Sequence, residues 1–248
     1  MPSLRLELRR RILGTDGQGY TRWAVHTERQ EWPCGRTALL LCDVWDRHWS
    51  RGACERLEAM VPRMDKLVRH ARERGVQIVH APSDTMEYYA GTPARQRILA
   101  VAPVEPPPDL PHEDPPLPVD ASDHGSDTGE KAPFRAWQSQ HRGIGVDAER
   151  DVVSDSGQEI LAYLRACGLE RLLILGVHTN MCVLHRSFGI KQMVRWGVPV
   201  ALVRDLTDTM YNPARPPYVD HDEGTRLVVE YIERFWCPSV HSQEVLAS

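Results

Sequence analysis

Residues 172–184 constrain the fold of this chain more than any other stretch. They begin with an apolar run of strand length, continue through Gly176 into a short polar turn, and reach Cys182. After the cysteine, apolar residues recur at roughly helical spacing as far as Trp196, which predicts a helix that begins at or beside the thiol. The stretch therefore predicts a strand-to-helix corner with a cysteine at its apex.

The position of Cys182 allows two interpretations. A helix N-terminus favours negative charge, and a thiol with an ordinary pKa of about 8.5 can be shifted toward neutrality there. Such a thiol would be a nucleophile. The other interpretation is a buried cysteine that packs as a small hydrophobic side chain. This stretch alone leaves both open.

Strand and helix patterns alternate along most of the chain. The apolar run 37–42 ends at Asp43, and its continuous hydrophobicity is typical of a strand covered on both faces. We predict a doubly wound (Rossmann-like), mostly parallel α/β sheet with helices on both faces. Asp43 then lies at the carboxyl edge, where such sheets bind ligands, although an Asp that caps the next turn fits the pattern as well. The remaining predicted helices are 55–75, 93–101, 157–167 and 222–236, and the remaining strands are 76–80, 151–153, 172–175 and 198–203.

Two segments lie outside this alternation. Residues 1–36 are predicted to form an N-terminal β-ribbon, because 4–9 alternate in polarity and 20–27 can return as a second strand. The main α/β domain is placed at 37–248. Within it, residues 103–131 form a long excursion, since eight of the sixteen residues 103–118 are proline. The excursion is predicted to be either mobile or a lid.

Composition excludes several functional classes. The net charge of −4 and the scattered basic residues do not suggest nucleic-acid binding, and no apolar run approaches the length of a membrane span. The six cysteines form no CxxC pair, which favours reduced thiols and a cytoplasmic location. No glycine-rich phosphate loop is present. We expect a small-molecule substrate and no cofactor.

Two motifs resemble those of the isochorismatase-like cysteine hydrolases. Residues 176–183 are similar to the G-V-x-T-x-x-C-V nucleophile turn of that family, and residues 41–46 are similar to its first strand. The resemblance covers residues 37 to about 236. It implies that Cys182 attacks a carbonyl, that Asp43 accepts the thiol proton, and that the N–H groups of His178 and Cys182 form the oxyanion hole. It also implies a cis peptide bond between Val177 and His178.

The sequence departs from the family at the third catalytic position. The family places a lysine just after the strand that precedes the 157–167 helix, but residues 152–157 contain none. Of the three lysines in the chain, only Lys131 on the long excursion is expected to reach the site. The alternative is that a histidine takes the role, with His48, His80 and His178 as candidates, although each also fits a structural imidazole.

A second departure concerns metal. Nicotinamidases of this family carry an Asp-x-His motif and a further His after the second strand, whereas residues 83–89 contain Asp84 and Glu87 without a histidine. A zinc site of that kind needs histidine ligands, so we predict no metal.

The substrate pocket is predicted from side chains near the catalytic edge. Aromatic walls suit a small, partly apolar molecule, but the same residues fit a core or a dimer interface. The predicted pocket residues are Trp45, His48, His80, Asp84 and Trp137.

These inferences give one leading and one competing function. The leading hypothesis is a metal-independent cysteine hydrolase of a small carbonyl compound, with an amide C–N bond favoured over a ureide or a vinyl ether. The competing hypothesis is a non-catalytic binding or assembly protein on the same fold. We also expect a homo-oligomer, because the ribbon leaves strand edges that must be covered.

Overall fold

The computed structural model describes residues 2–248; Met1, the first residue of the predicted ribbon extension, lies outside the described residues. The strands are β1 (Ser3–Thr15), β2 (Thr21–Pro33), β3 (Thr37–Cys42), β4 (Gln77–Ala81), β5 (Val152–Val153), β6 (Arg171–Val177), β7 (Val200–Asp208) and β8 (Ser239–Val240). The helices are α1 (Arg51–Glu73), α2 (Met86–Tyr89), α3 (Pro93–Leu99), α4 (Gly157–Ala166), α5 (Cys182–His185), α6 (Ile190–Arg195), α7 (His221–Phe235) and α8 (Ser242–Leu246). No helix in residues 2–248 combines the length and the apolar character that a membrane crossing requires.

The strands form one sheet in the order β2-β1-β8-β7-β6-β3-β4-β5. Strands β3 to β8 run parallel to one another, while β1 runs antiparallel to both of its neighbours, β2 and β8. Every residue of β3 is buried, and alternate residues such as Leu40 and Leu41 belong to two different apolar cores. One core contains residues of α4 and α7, and the other contains residues of α1 and α8. The predicted mostly parallel α/β fold with both faces covered is confirmed.

The segment after Cys182 differs from the prediction. Instead of one helix to residue 196, the chain forms two short helices, α5 and α6, with an extended backbone at Arg186 (ψ 156°) between them. The start of α4 packs against this break, since a Cβ on Gly157 would lie 1.9 Å from the Ser187 carbonyl oxygen. Apolar spacing continues across the break, so the sequence pattern did not reveal it.

The proline-rich excursion is packed against the domain rather than free of it. Lys191 Nζ lies 2.5 Å from an Asp114 carboxylate oxygen, and the Tyr231 hydroxyl donates to the Pro115 carbonyl at 2.8 Å. Further along, Gly125 (φ +72°) approaches the Met210 carbonyl so closely that a Cβ would lie 2.4 Å from its oxygen. Side-chain contacts at several points therefore hold the excursion in place.

The N-terminal ribbon is present and longer than predicted. Strand β1 buries leucines at positions 4, 6 and 8 in the core beside α1 and α8, whereas most of β2 is exposed. Arg9 and Arg11 form ion pairs with Glu233 and Glu230 on α7, at 2.8 and 2.5 Å. The outer edge of β2 has no strand partner within residues 2–248. Oligomerisation through this or another face stays a prediction.

Candidate active site

Strands β3 and β6 bring the two motifs together. They are parallel neighbours, and Cys42 pairs with Gly176 at their carboxyl ends. Gly176 has a φ of +123°, and a Cβ there would lie 2.0 Å from the Cys42 carbonyl oxygen. Only glycine fits this approach. Asp43, the residue after β3, therefore lies beside the turn that follows β6.

Asp43 is fully buried and surrounded by donors. Its Oδ1 accepts a hydrogen bond from the Ser83 N–H at 2.7 Å, and its Oδ2 accepts one from Arg186 Nε at 3.0 Å. The Cys182 side chain lies close enough to the same carboxylate to affect its pKa. Burial raises the pKa of Asp43 above its ordinary value, and the Arg186 charge and these hydrogen bonds offset that rise only in part. The carboxylate is thereby suited to accept a proton.

Cys182 is the first residue of α5 and is partly buried. Burial and the Asp43 charge raise the pKa of its thiol, while the Arg186 charge and the His178 N–H act in the opposite direction and are outweighed. The expectation that a helix N-terminus lowers this pKa is therefore wrong. Helix α5 has only four residues, so its dipole is small beside the cost of desolvating a thiolate. The thiol needs a base, and Asp43 is the carboxylate in contact with it.

The turn before Cys182 contains the cis peptide bond Val177–His178 that the family resemblance implies. The backbone N–H of His178 lies near enough to the Cys182 sulfur to act against the rise in its pKa. An N–H in this position lies beside the place where an oxyanion develops when the sulfur attacks a carbonyl. The oxyanion-hole assignment of His178 and Cys182 remains a prediction, and this geometry favours it.

Arg186 is the site residue that sequence reasoning missed. Its N–H donates to the Cys182 carbonyl at 3.0 Å, and its side chain contacts Asp43 and, at 3.3 Å, an Asp84 oxygen. The guanidinium also lies 5.9 Å from the centre of the Trp45 ring. Arg186 follows Cys182 by four residues, and side chains at that spacing share one helix face. That spacing was the available signal.

No lysine of the described residues forms an ion pair with Asp43. Lys131 and Lys66 are exposed, and neither forms an ion pair with any described residue. Lys191 is buried against Asp114 and Trp236. The cation beside Asp43 is thus an arginine from the turn after the nucleophile, and the Lys131 assignment is not supported by this arrangement.

The three candidate histidines have different surroundings. His80 is fully buried, and both ring nitrogens are taken, by Gln140 at 2.8 Å and Asp151 at 2.9 Å. This arrangement leaves His80 no nitrogen for a substrate. His48 and His178 face each other with ring centres 4.7 Å apart, and burial lowers their pKa values to about 4 and about 3. Both rings are therefore neutral at pH 7.

The predicted pocket residues gather only in part. Trp45 and Trp137 stack with ring centres 4.0 Å apart, and His48 stacks at 6.0–6.1 Å from both. Trp45 is 3% exposed, so it packs against neighbours more than it lines an open cavity. Asp84 joins the site through Arg186. His80 belongs to a separate hydrogen-bonded group.

A second buried carboxylate lies at the same edge of the sheet. Asp208 ends β7, and its oxygens accept from Arg56 Nε and His221 Nε2, each at 2.9 Å. Arg56 also binds Asp127 of the excursion at 2.8 Å. Burial alone would raise the pKa of Asp208, but the His221 hydrogen bond and the Arg56 charge outweigh it and lower the pKa. Sequence reasoning did not single out this cluster.

The prediction of no metal rests on the donor set at Asp84. In the structure Asp84 binds Arg186, and no group of three or more His, Cys, Asp or Glu residues suited to a metal ion occurs among residues 2–248.

Comparisons with known proteins agree with this fold. The chain aligns over 87% of its length with 94% of a cysteine hydrolase from Pseudomonas syringae pv. phaseolicola 1448A, at 17% identity and a TM-score of 0.53. It aligns over 86% with 86% of a "putative isochorismatase" from Burkholderia xenovorans LB400, at 14% identity and a TM-score of 0.51. No curated protein matches the chain. The isochorismatase domain model matches residues 37–215, more than half of the chain. The protein therefore belongs to the isochorismatase family.

Proposed function

We propose that this protein is a metal-independent cysteine hydrolase that cleaves an amide C–N bond in a small carbonyl compound. The observation that carries the proposal is the position of Cys182 beside the buried Asp43 carboxylate, with Arg186 bonded to both the Cys182 carbonyl and Asp43 at 3.0 Å. A thiol nucleophile and a base within hydrogen-bonding reach are the minimal requirements for this chemistry. The structural neighbour from Pseudomonas syringae, named a cysteine hydrolase, is consistent with it.

The reaction would proceed in two stages. Asp43 takes the thiol proton while the sulfur of Cys182 bonds to the carbonyl carbon, and the oxyanion accepts hydrogen bonds from the N–H groups of His178 and Cys182. Asp43 returns the proton to the leaving nitrogen as the C–N bond breaks. Water then adds to the thioester, giving a carboxylic acid and restoring the thiol.

Arg186 has an electrostatic part in this proposal. An arginine keeps its proton at any physiological pH, so it cannot exchange one with the leaving group. Its contact with Asp43 instead holds the carboxylate in place, and its charge lowers the free energy of the thiolate beside it. Asp43 is then the single group that accepts and returns the proton.

A hydrolysis screen tests the proposal. Wild type, Cys182→Ala and Cys167→Ala would be incubated with small amides, ureides and esters while ammonia or amine release is measured. Cys167 is exposed and serves as the matched control. We expect amide hydrolysis that Cys182→Ala abolishes and Cys167→Ala retains, with an acyl adduct on the Cys182 peptide by mass spectrometry. Activity that survives in Cys182→Ala contradicts the proposal.

The competing function, a non-catalytic binding protein, predicts a different result. Ligands from the screen would then raise the unfolding temperature without being hydrolysed. The absence of the family lysine motivates this alternative, and the Arg186 contact with Asp43 weighs against it because that position is filled by another cation.

A further inference from the structure

The charges around Cys182 sum to a negative value although an arginine is present. Arg186 is held between two carboxylates, Asp43 at 3.0 Å and Asp84 at 3.3 Å. One positive and two negative charges leave this triad with a net charge of −1. Passing the thiol proton to Asp43 does not change the total, because the sulfur then carries the charge that the carboxylate loses.

The neighbouring groups do not offset this charge. The Asp84 N–H donates to Asp155 Oδ2 at 3.0 Å, which brings a further acidic side chain to the same loop. His48 and His178 are neutral at pH 7, as their pKa values of about 4 and about 3 require. Within the described part of the chain, no cation other than Arg186 forms an ion pair with Asp43 or Asp84.

We propose that the Asp43–Arg186–Asp84 triad selects uncharged substrates and that Asp84 is the residue that excludes carboxylates. This inference rests on the proposed function, since it names the substrate class of the same thiol. A carboxylate near the scissile bond would meet net negative charge in a partly desolvated site, where like charges repel more strongly than in water. An uncharged amide meets no such penalty.

The exposure of Asp84 is consistent with a role in selection. Its side chain is 50% exposed, whereas Asp43 is fully buried. Arg186 is 32% exposed, so its guanidinium can be reached from solvent. If Asp84 did not occupy one edge of the guanidinium, a substrate carboxylate could bind there. Asp84 therefore competes with anionic substrates for the cation of the site.

Two alkylating reagents of nearly equal size test the proposal without a known substrate. Iodoacetamide is neutral and iodoacetate is anionic, and both modify a thiol by displacement of iodide. The rate of modification of Cys182 by each would be followed by peptide mass spectrometry at pH 8 and low ionic strength. Exposed Cys167 provides the reference ratio in the same sample.

We expect the iodoacetamide-to-iodoacetate rate ratio at Cys182 to exceed that at Cys167 by about tenfold or more, as repulsion by one unit charge a few ångströms away predicts. Asp84→Asn should bring the Cys182 ratio toward that of Cys167. The matched control Asp222→Asn, an exposed position at the start of α7, should leave it unchanged. High salt should reduce the ratio in wild type.

The outcomes separate the two proposals. Equal ratios at the two cysteines, or faster reaction of Cys182 with iodoacetate, overturn the substrate-class inference and leave the thiol-hydrolase proposal standing. A Cys182 that neither reagent modifies, even at a pH high enough to ionise its thiol, overturns both, because a nucleophile must be reachable. Loss of hydrolytic activity in the amide screen, with the expected charge selectivity intact, counts against the hydrolase proposal alone.

Discussion

Asp43 and Asp208 occupy equivalent places in the sheet but differ in their electrostatics. Each stands at the carboxyl end of a parallel strand, β3 or β7, and each accepts a hydrogen bond from an arginine Nε, at 3.0 and 2.9 Å. Both side chains are buried. The pKa of Asp43 is nevertheless raised, whereas that of Asp208 is lowered.

The difference comes from the partners opposite the arginine. Asp43 faces a thiol and a backbone N–H, which are weak or neutral donors, so burial dominates and raises the pKa of its carboxyl group. Asp208 faces the His221 imidazole, and this contact lowers the pKa of Asp208 and raises that of His221. The charged form of Asp208 is therefore favoured. Asp43 is thus suited to proton transfer, and Asp208 is suited to fix α1, α7 and the excursion in place.

The largest difference is expected in catalysis. Asp43→Asn removes the proposed base and should lower kcat/KM for an amide substrate by roughly 10²- to 10⁴-fold. Asp208→Asn should lower kcat/KM much less, since the Asp208 side chain bonds to Arg56 and His221 and has no proposed chemical role. Steady-state kinetics on the best substrate from the screen would check this. Equal losses in the two variants would contradict the comparison.

Stability should show the reverse order. Asp208→Asn leaves Arg56 and His221 without their shared carboxylate and should cost about 3 kcal/mol of unfolding free energy, as expected when one partner of a buried pair is removed. Asp43→Asn should change stability by no more than about 1 kcal/mol, since burial already disfavours the charged carboxylate and Arg186 keeps Asp84 as a partner. Urea denaturation followed by tryptophan fluorescence measures both. A larger loss in Asp43→Asn would refute this assignment.

Substitution of Arg186, the cation beside Asp43, should lower the rate less than Asp43→Asn does. Arg186→Ala should lower kcat by about ten- to a hundredfold through the loss of one opposite charge near the thiolate. Arg186→Lys should recover part of the loss, and Lys131→Ala serves as a control that should leave kcat near wild type. If Lys131→Ala instead lost as much activity as Arg186→Ala, the excursion lysine would be the third catalytic group.

The smallest expected difference between the two aspartates is in how stability depends on pH. His221 has a raised folded-state pKa because the hydrogen bond and charge of Asp208 outweigh the effect of burial. Its contribution to stability is therefore complete below the unfolded-state pKa of about 6.5 and is lost as pH rises through the folded-state value. The difference in unfolding free energy between wild type and Asp208→Asn should therefore shrink from pH 6 to pH 9, because the other titrating groups, such as His48, contribute to both proteins alike. A difference that stays constant over this range would contradict the proposed pairing.

The sequence predicted those parts of the fold that depend on local, periodic patterns of hydrophobicity. The continuous apolar run of β3 predicted a buried parallel strand, and the alternation of strands and helices predicted the sheet on which Asp43 and Cys182 meet. The ribbon followed from the polarity alternation of its first strand. Such patterns indicate which face of each helix or strand is buried, so they predict how these elements pack.

The sequence was insufficient where function depends on which side chains meet. Arg186 was missed although it follows Cys182 by four residues, because that spacing does not show that its side chain reaches Asp43 on a different strand. The cluster of Asp208, Arg56 and His221 draws on β7, α1 and α7, and no local pattern links those positions. The direction of the Cys182 pKa shift was also wrong, because burial is a property of the folded chain.

The pKa of the Cys182 thiol in three proteins tests the central claim, that Asp43 and Cys182 form a proton-sharing pair. Peptide-resolved alkylation by iodoacetamide as a function of pH would give this pKa in wild type, Asp43→Asn and Asp208→Asn. The account predicts a raised pKa in wild type, a distinctly lower one in Asp43→Asn because a contacting negative charge is removed, and no change in Asp208→Asn. A Cys182 pKa near 8.5 in wild type that neither substitution changes would contradict it.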